Sequence, residues 1–547
     1  MSDPSISRRS FIQLTAMSLA VLPLDWASMS AYAATLKKNK TGSVVIIGAG
    51  LGGLACGAYL AKAGVPVTLI EQHYIPGGYA TSFSRASGKF TFEVSLEGTS
   101  IHDNASSRML AELGVLDKIE IVPIPEVLKM KGPGFEINVP QRDPQTLIKL
   151  LSGVFPDEKN GIRGVIEEMI GIVEETIRLD EKKGVFANFP AEYPKMWAIR
   201  NQTLAEFLDG FVKNPALKNA LSGQWDYYGL PPSTLSGFYY VVAFGEYLLK
   251  GSYYIKPRSQ ALSNALARAI EAAGGKLIYG TEAKSILVEK GAVKGVVTAK
   301  GDTLPALAVV SNASALTTIR DMLPQGAVPP DYAAKLDTYR PSISTFIVWL
   351  GLNKEIKGKL QGYDHSIGSG MGPEADYQMA LSGEVEKIGF GVVCYDNIYE
   401  GYSKPGTSTL KIICASGYAP WRRFEADYRA GRKDAYLKEK NRWADILIGR
   451  FEKAILPGLT QMIDVREAAT PLTNWRFTRN PQGAIYGFEQ SMNNTYMNRI
   501  DNRTPVKGLY LASAWGKPGG GYTGVMAGGR TTFGYLMDDL KTGKIGG

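Results

Sequence analysis

Apolar positions along this chain change rhythm several times, and the order of the rhythms predicts the elements. Val44 to Ile47 is an unbroken apolar run suited to a strand buried on both faces, and Val67 to Ile70 repeats it one helix length later. Between them GAGLGGLACGAYLAKAG, all small residues at its start, reads as a tight turn opening a packed helix. Residues 116 to 250 carry amphipathic helical spacing, as in GVIEEMIGIVEETIRLDEKKG, with aromatics at Tyr227, Tyr228, Phe238, Tyr239, Tyr240, Phe244 and Tyr247. Such a cluster suits an apolar pocket, but for any single member core packing is the commoner role.

Helix and strand alternate again from 261 to 312. LSNALARAIEAAGGKLIYG reads as helix then strand, AKSILVEKGAVKGVVTAKGDTL as a hairpin, and LAVVSNAS as a buried strand. Strands then dominate around STFIVWLGL, GFGVVCYD and TLKIICAS, before a helix through KDAYLKEKNRWADILIGRFEKAI. The block from Gly508 to Leu536 predicts a strand, a glycine-rich turn and a helix beginning near Tyr522. A chain of 547 residues, 45% apolar, predicts a globular protein of two or more domains.

The first block also carries chemistry. Gly48, Gly50 and Gly53 fill the three positions of G-x-G-x-x-G between a strand and a helix. Gly48 permits the turn, Gly50 lets main chain approach a pyrophosphate, and Gly53 allows close helix packing. Glu71 ends the second strand where a carboxylate meets ribose hydroxyls, about 20 residues beyond the glycines. Together these features predict a bound dinucleotide. Gly77 and Gly78 follow in a turn that should pass close to it. Gly368-Ser369-Gly370-Met371-Gly372-Pro373 is discounted as a second such unit, for want of a preceding strand and because it breaks on proline, so no separate NADPH domain is expected.

Charge and cysteines narrow the picture less. The formal charge of +9 comes from 61 basic and 52 acidic residues dispersed without a basic block, which argues against nucleic acid and leaves solubility or peripheral attraction to anionic lipid. Cys56, Cys394 and Cys414 are too few for a disulfide framework or a closed zinc site, and no metal is expected. Cys394 and Cys414 stand in strand-like runs that could pair. Both a disulfide and two buried thiols are open, the thiols being commoner.

Residues 1 to 34 read as an export signal, with Arg8-Arg9, an apolar stretch from Phe11 to Leu24, and Ala31-Tyr32-Ala33 as a cleavage site. Ser7-Arg8-Arg9-Ser10-Phe11-Ile12-Gln13 resembles the twin-arginine consensus, with Ile for Leu and Gln for Lys. That resemblance implies periplasmic or other extracytoplasmic delivery of a folded, cofactor-loaded protein.

In order, VVIIGAGLGGLACGAYLAKAG, EQHYIPGGY, KPRSQALSNALARAIEAAGGKLIYGTEAKSI, VVSNAS, GAIYGFEQ and GLYLASAWGKPGGGYTGVMAGGR resemble the flavin-dependent phytoene desaturase superfamily, especially its carotenoid isomerases and retinol saturases. The resemblance spans 43 to 540. It implies an α/β fold like that of the amine oxidases and phytoene desaturases. A discontinuous Rossmann-like FAD-binding domain would comprise 43–115, 251–315 and 475–547, and an inserted α+β substrate domain 116–250 and 316–474. It also implies Glu71 at the adenosine ribose, Ala283 against adenine, and Gly521 to Gly524 at the flavin end, with Gly48, Gly50, Gly52, Gly53, Gly77, Gly78, Asn312 and Ala514 lining the path between. The block after Gly508 lacks Cys and His, so the FAD is expected to be noncovalent.

Flavin would carry the redox step on carbon-carbon double bonds of a hydrophobic polyene, isoprenoid or lipid-like substrate, by saturation, desaturation or isomerisation. Glu97, His102, Trp515, Lys517 and Tyr522 are the candidates for chemistry at the ring. Two departures from relatives stand out. Phe92 to Glu97 replaces a common Asp-x-Gly, and Arg258-Ser259 stands near a common Gly-Gly. Outside the cytoplasm a quinone, a cytochrome or oxygen would exchange electrons. Competing readings are an FAD-dependent amine oxidase and a noncatalytic lipid-binding protein of the GDP dissociation inhibitor fold.

Overall fold

The computed structural model describes residues 43–545 except 133, 183–185, 361, 496 and 497, together with 26, 27, 29 and 30. Arg8, Arg9 and the Ala31-Tyr32-Ala33 site lie outside the described residues, so the export-signal reading does too. Trp26 stacks on Tyr59, ring centroids 6.1 Å apart, and packs on Phe533.

Five parallel strands form the nucleotide sheet, in the order Leu509–Leu511, Ala308–Ser311, Val44–Ile47, Val67–Ile70 and Lys276–Ile278. Val44–Ile47 at the centre is buried throughout, because helices cover both faces of a parallel sheet. Helix Leu51–Lys62 follows the glycine turn and is buried from Leu51 to Ala61. It packs between helix Gln260–Ala272 and the C-terminal helix Tyr522–Lys541. The crossing is close: a Cβ on Gly529 would overlap the Gly52 carbonyl. Three stretches far apart in sequence thus build one sheet. The segment expected as a hairpin has a third strand, so that Ala283–Glu289, Ala292–Thr298 and Thr303–Pro305 form an antiparallel sheet.

A second five-stranded sheet is wholly antiparallel, in the order Asp364–Ile367, Phe390–Val393, Ser408–Ser416, Ser344–Leu352 and Ile463–Ala469. Strand Ser344–Leu352 has two buried faces that differ. Phe346, Val348 and Leu350 pack with Trp443, Leu447 and Phe451 of helix Asp434–Ala454, while Ile347 and Trp349 meet Phe90 and Phe92 of the hairpin Ser82–Arg85/Phe90–Glu93. Helices Lys159–Glu181 and Gly237–Lys250 close a third core beside this sheet.

Two further expectations are corrected by the structure, and the commoner reading of Cys394 and Cys414 holds. The helical stretch 116–250 also contains strands Glu120–Pro123, Leu128–Gly132 and Phe135–Val139, the last with Ile137 and Val139 inward at a spacing of two. A strand, Asp364–Ile367, does precede Gly368, and helix Pro373–Ser382 follows. It is the edge of an antiparallel sheet, however, not the parallel strand of a nucleotide unit. Cys394 and Cys414 are buried free thiols. Their strands pair, but in a register that sets Val393 beside Lys411 and Cys414 opposite Phe346, which keeps the sulfurs apart.

Candidate active site

One cavity of about 1000 Å³ runs from the C-terminal edge of the parallel sheet to the inner face of the antiparallel one. At the first end Glu71 is buried by its position after Val67–Ile70. Its Oε2 accepts the Ala49 amide at 2.7 Å and its Oε1 the His73 amide at 2.8 Å. Burial raises its pKa and those amides oppose the rise. Each oxygen keeps a further lone pair, which suits a ribose hydroxyl. Ala283 and Thr281 form the wall beside it.

The middle of the cavity is made of main chain. Asn312, just after strand Ala308–Ser311, accepts the Gly50 amide at 2.9 Å and donates to the Ala512 carbonyl at 2.5 Å. The glycine turn is therefore strapped to the C-terminal strand. A Cβ on Gly50 would overlap Asn312 Oδ1, one on Gly52 the Ala512 carbonyl, and one on Gly53 the Gly48 carbonyl. Gly48 has φ of +95°, which favours glycine. Two helix N-termini, those of Leu51–Lys62 and Tyr522–Lys541, open beside this space, and helix starts offer amides to anionic or polarised oxygens. Gly77, Gly78, Ala514 and Gly521 complete the wall. This cradle of main chain and glycine fits an extended dinucleotide.

The far end is aromatic and carboxylic. Helix Gly237–Lys250 presents Tyr239, Ala243 and Tyr247, spaced by four, to the cavity, whereas Tyr240 and Phe244 on the adjoining face are core. Tyr227, Tyr228, Tyr486 and Trp349 join them. The aromatic cluster thus divides between the two roles, pocket for Tyr227, Tyr228, Tyr239 and Tyr247, core for the rest. Glu97 lines the same space and pairs with Lys411, a wholly buried lysine on strand Ser408–Ser416. Burial raises the Glu97 pKa and Lys411 opposes it. Tyr522 donates to Ser95 Oγ at 3.1 Å, which in turn donates to the Tyr79 carbonyl at 2.8 Å.

Among the candidates, Glu97, Trp515 and Tyr522 face the cavity together. His102 does not. It is exposed and stacks on Tyr253 at 4.3 Å, because the chain turns outward after Ile101. Lys517 is also outside the wall, 3.6 Å from Asp501, with its pKa lowered by burial. Gly53 and Gly524 are not on the wall; they pack against the turns behind it, Gly53 on Gly48 and Asn312, Gly524 on Pro518 and Gly519. Lys411 had no sequence signal beyond a charge inside an apolar strand, TLKIICAS. The two departures from relatives meet in space. Glu93 accepts the Ser259 hydroxyl at 2.6 Å, its amide at 2.8 Å and the Tyr254 hydroxyl at 2.8 Å, while Arg258 donates to the Thr91 and Tyr402 carbonyls.

Residues 46–113 match the NAD(P)-binding Rossmann-like domain model. Over most of its length the chain is similar to three kinds of enzyme. It is 24% identical to a prolycopene isomerase of Daucus carota over 93% of this chain and 82% of that one. It is 24% identical to the all-trans-retinol 13,14-reductase of Homo sapiens over 86% and 81%, and 24% identical to the all-trans-zeta-carotene desaturase of Myxococcus xanthus over 92% and 95%. Putrescine oxidase has a similar fold, with TM-score 0.60 and 14% identity, over 91% of this chain and 99% of that one. That likeness covers the Rossmann-like sheet and the antiparallel substrate sheet alike. Relatedness along nearly the whole chain and a cradle shaped for a dinucleotide identify an FAD-dependent oxidoreductase similar to the phytoene desaturases and retinol saturases.

Proposed function

We propose that the protein binds FAD without a covalent link and acts on carbon-carbon double bonds of a carotenoid- or retinoid-like polyene. The observation that carries this reading is one continuous cavity, which joins a dinucleotide cradle to a chamber lined by Tyr227, Tyr228, Tyr239, Tyr247 and Ile413. Flavin supplies two-electron chemistry when bound. Glu71 and the Ala283 wall would hold the adenosine, Gly50, Gly52 and Asn312 the pyrophosphate, and Gly521 with Tyr522 the ring. The chain's own part is then orientation and proton control. The tyrosine faces hold an apolar chain and exclude water, and Glu97, next to Lys411, holds or takes a proton at Oε1 or Oε2.

The relatives comprise an isomerase, a reductase and a desaturase, and the electron partner of the flavin would set the direction while the cavity's acid groups balance the proton. The reading further includes delivery outside the cytoplasm and a quinone or cytochrome electron partner, both drawn from residues 1 to 34. Anaerobic mixing of the flavin-loaded protein with polyenes, quinones and nicotinamides tests it. Polyene-dependent change in flavin absorbance with an altered polyene spectrum is expected. Flavin that exchanges electrons with primary amines but with no polyene would overturn it and favour the amine oxidase reading.

A further inference from the structure

One row of residues crosses the antiparallel sheet on its cavity face. Asp364 stands opposite Val393, Val393 opposite Lys411, Lys411 opposite Trp349, and Trp349 opposite Glu467. Residues opposed in this way share a face. Trp349 of this row lines the cavity, as do Ile347 and Ile413 two positions along on the same face, and Lys411 reaches the cavity-lining Glu97. Asp364 and Lys411 are two strand spacings apart, about 10 Å between main chains, a gap that their side chains narrow from both sides. Gly391, opposite Ile413, leaves room there: a Cβ on it would stand 3.8 Å from Asp364 Oδ1. Asp226, on helix Trp225–Tyr228 next to cavity-lining Tyr227, is close enough for its charge to act on Asp364 and for that of Glu97 to act on it.

The charges of this group do not balance. Lys411 is its cation, and Glu97 already pairs with it. Asp364 accepts no hydrogen bond among the described residues, and Asp226 accepts the Tyr227 amide at 3.0 Å. The other cations nearby face other carboxyls: Arg450 acts on Asp376, and Lys129, beside Glu126, pairs with Glu136. Tyr227 and Tyr363 are phenols that burial keeps protonated, Glu126 accepts the Tyr363 amide at 2.8 Å, and Asp376 lies toward Asp226. Three carboxyls of intermediate exposure gathered about one buried ammonium repel one another, and that repulsion with partial desolvation favours a bound proton on the group.

We infer that Asp226, Asp364 and Lys411 form the proton store of the substrate chamber, with Glu97 as the group that delivers the proton to substrate carbon. The inference rests on the polyene reading. In reduction of an alkene, reduced flavin when bound would supply a hydride to one carbon. The π pair then forms a C–H bond at the neighbouring carbon with the proton released as the Glu97 O–H breaks. Lys411 holds the carboxylate left behind, and a proton from Asp364 or Asp226 restores the acid. Burial pushes Asp226 and Asp364 each up to about 7, the range in which a carboxyl both keeps and yields a proton at neutral pH.

Infrared difference titration of the flavin-loaded protein tests the store, and single turnover in deuterated water tests the delivery. Wild type should show a protonated-carboxyl band that titrates near neutral pH. Asp364→Asn or Asp226→Asn should weaken it and the double variant should remove it, while Glu467→Gln, at the other end of the row, should keep it. Glu97→Gln should slow deuterium transfer to product at least about 100-fold with flavin absorbance and polyene affinity unchanged. Lys411→Arg should retain more transfer than Lys411→Met. A protein with no such band at neutral pH, or a Glu97→Gln variant that transfers deuterium at the wild-type rate, overturns the inference. Failure of any polyene to bind defeats the functional reading instead, and the infrared band still decides whether the store exists.

Discussion

The two ends of the cavity are built by opposite means. At the dinucleotide end the wall is mostly main chain, and side chains matter by their absence: Gly50, Gly52 and Gly53 each stand where a methyl group would meet Asn312, Ala512 or Gly48. At the substrate end the wall is side chain, and single charges and rings decide its chemistry. At Gly50, Gly52 and Gly53 the first end has no room for a methyl group, whereas at the second end the buried Glu97–Lys411 pair is the feature most sensitive to exchange. A cofactor site must hold one rigid, universal ligand, whereas a substrate chamber needs groups whose protonation can change.

The sharpest break of this comparison is Gly52→Ala. The added methyl meets the Ala512 carbonyl, which is main chain held by strand pairing and cannot swing aside. Overpacking of this kind costs about 1–3 kcal/mol and moves the turn away from Asn312. Flavin binding followed by absorbance should fall by at least tenfold, with a lowered Tm. A variant that keeps full flavin content would show that the close approach at Gly52 is dispensable.

At the substrate end the counterpart is Lys411→Met, with the larger cost in stability. Removing one member of a buried pair leaves the other uncompensated, at about 3–5 kcal/mol. The double variant with Glu97→Gln should regain most of that stability by chemical denaturation but not the activity. Recovery of both would mean that the pair only braces the sheet.

A milder test uses pH. Burial raises the folded-state pKa of Asp226 and Asp364 from 3.8 to about 7, so folding favours their protonated forms. Their contribution to stability is full below about pH 4 and is lost as pH rises through 7. The Tm should therefore decline between pH 5 and 8, and the Asp226→Asn/Asp364→Asn protein should show a flatter profile. An unchanged slope in that variant would assign the decline to other groups.

Local signals explain how much could be read from sequence. The glycine turn, Glu71 and the helix starting at Tyr522 lie within short segments whose spacing is itself the evidence of their geometry, and the structure places them along one cavity. The aromatic helix was ambiguous because 3.6-residue spacing says which residues share a face but not what that face meets. Tyr239 and Tyr247 meet the cavity and Tyr240 the core. Lys411 and Asp364 were invisible, since their partners lie on other strands and only register brings them together. The Glu93–Ser259 contact is similar: two oddities 166 positions apart are one hydrogen-bonded feature. On the helix Gly237–Lys250, Tyr240→Phe removes the hydrogen bond to the Leu221 carbonyl and should cost about 1 kcal/mol of stability without altering turnover. Tyr239→Leu should do the reverse, raising KM for the polyene with Tm unchanged.

The smallest expected effect is at His102, and it is informative because histidine is the side chain whose charge most readily changes near neutral pH. Its ring is exposed and lies flat against Tyr253, 9° from parallel, on the outside of the segment whose inner residues, Glu97 to Ser100, line the cavity. Five positions of chain separate it from Glu97, enough for the main chain to turn from the chamber to solvent. His102→Ala should lose only the stacking contact, a few tenths of a kcal/mol to about 1 kcal/mol, and keep the kcat and pH profile of the parent. A changed pH profile in His102→Ala would reassign the titrating group from the carboxyls of the sheet to this ring, and with it the contrast between a wall of main chain and a wall of acids.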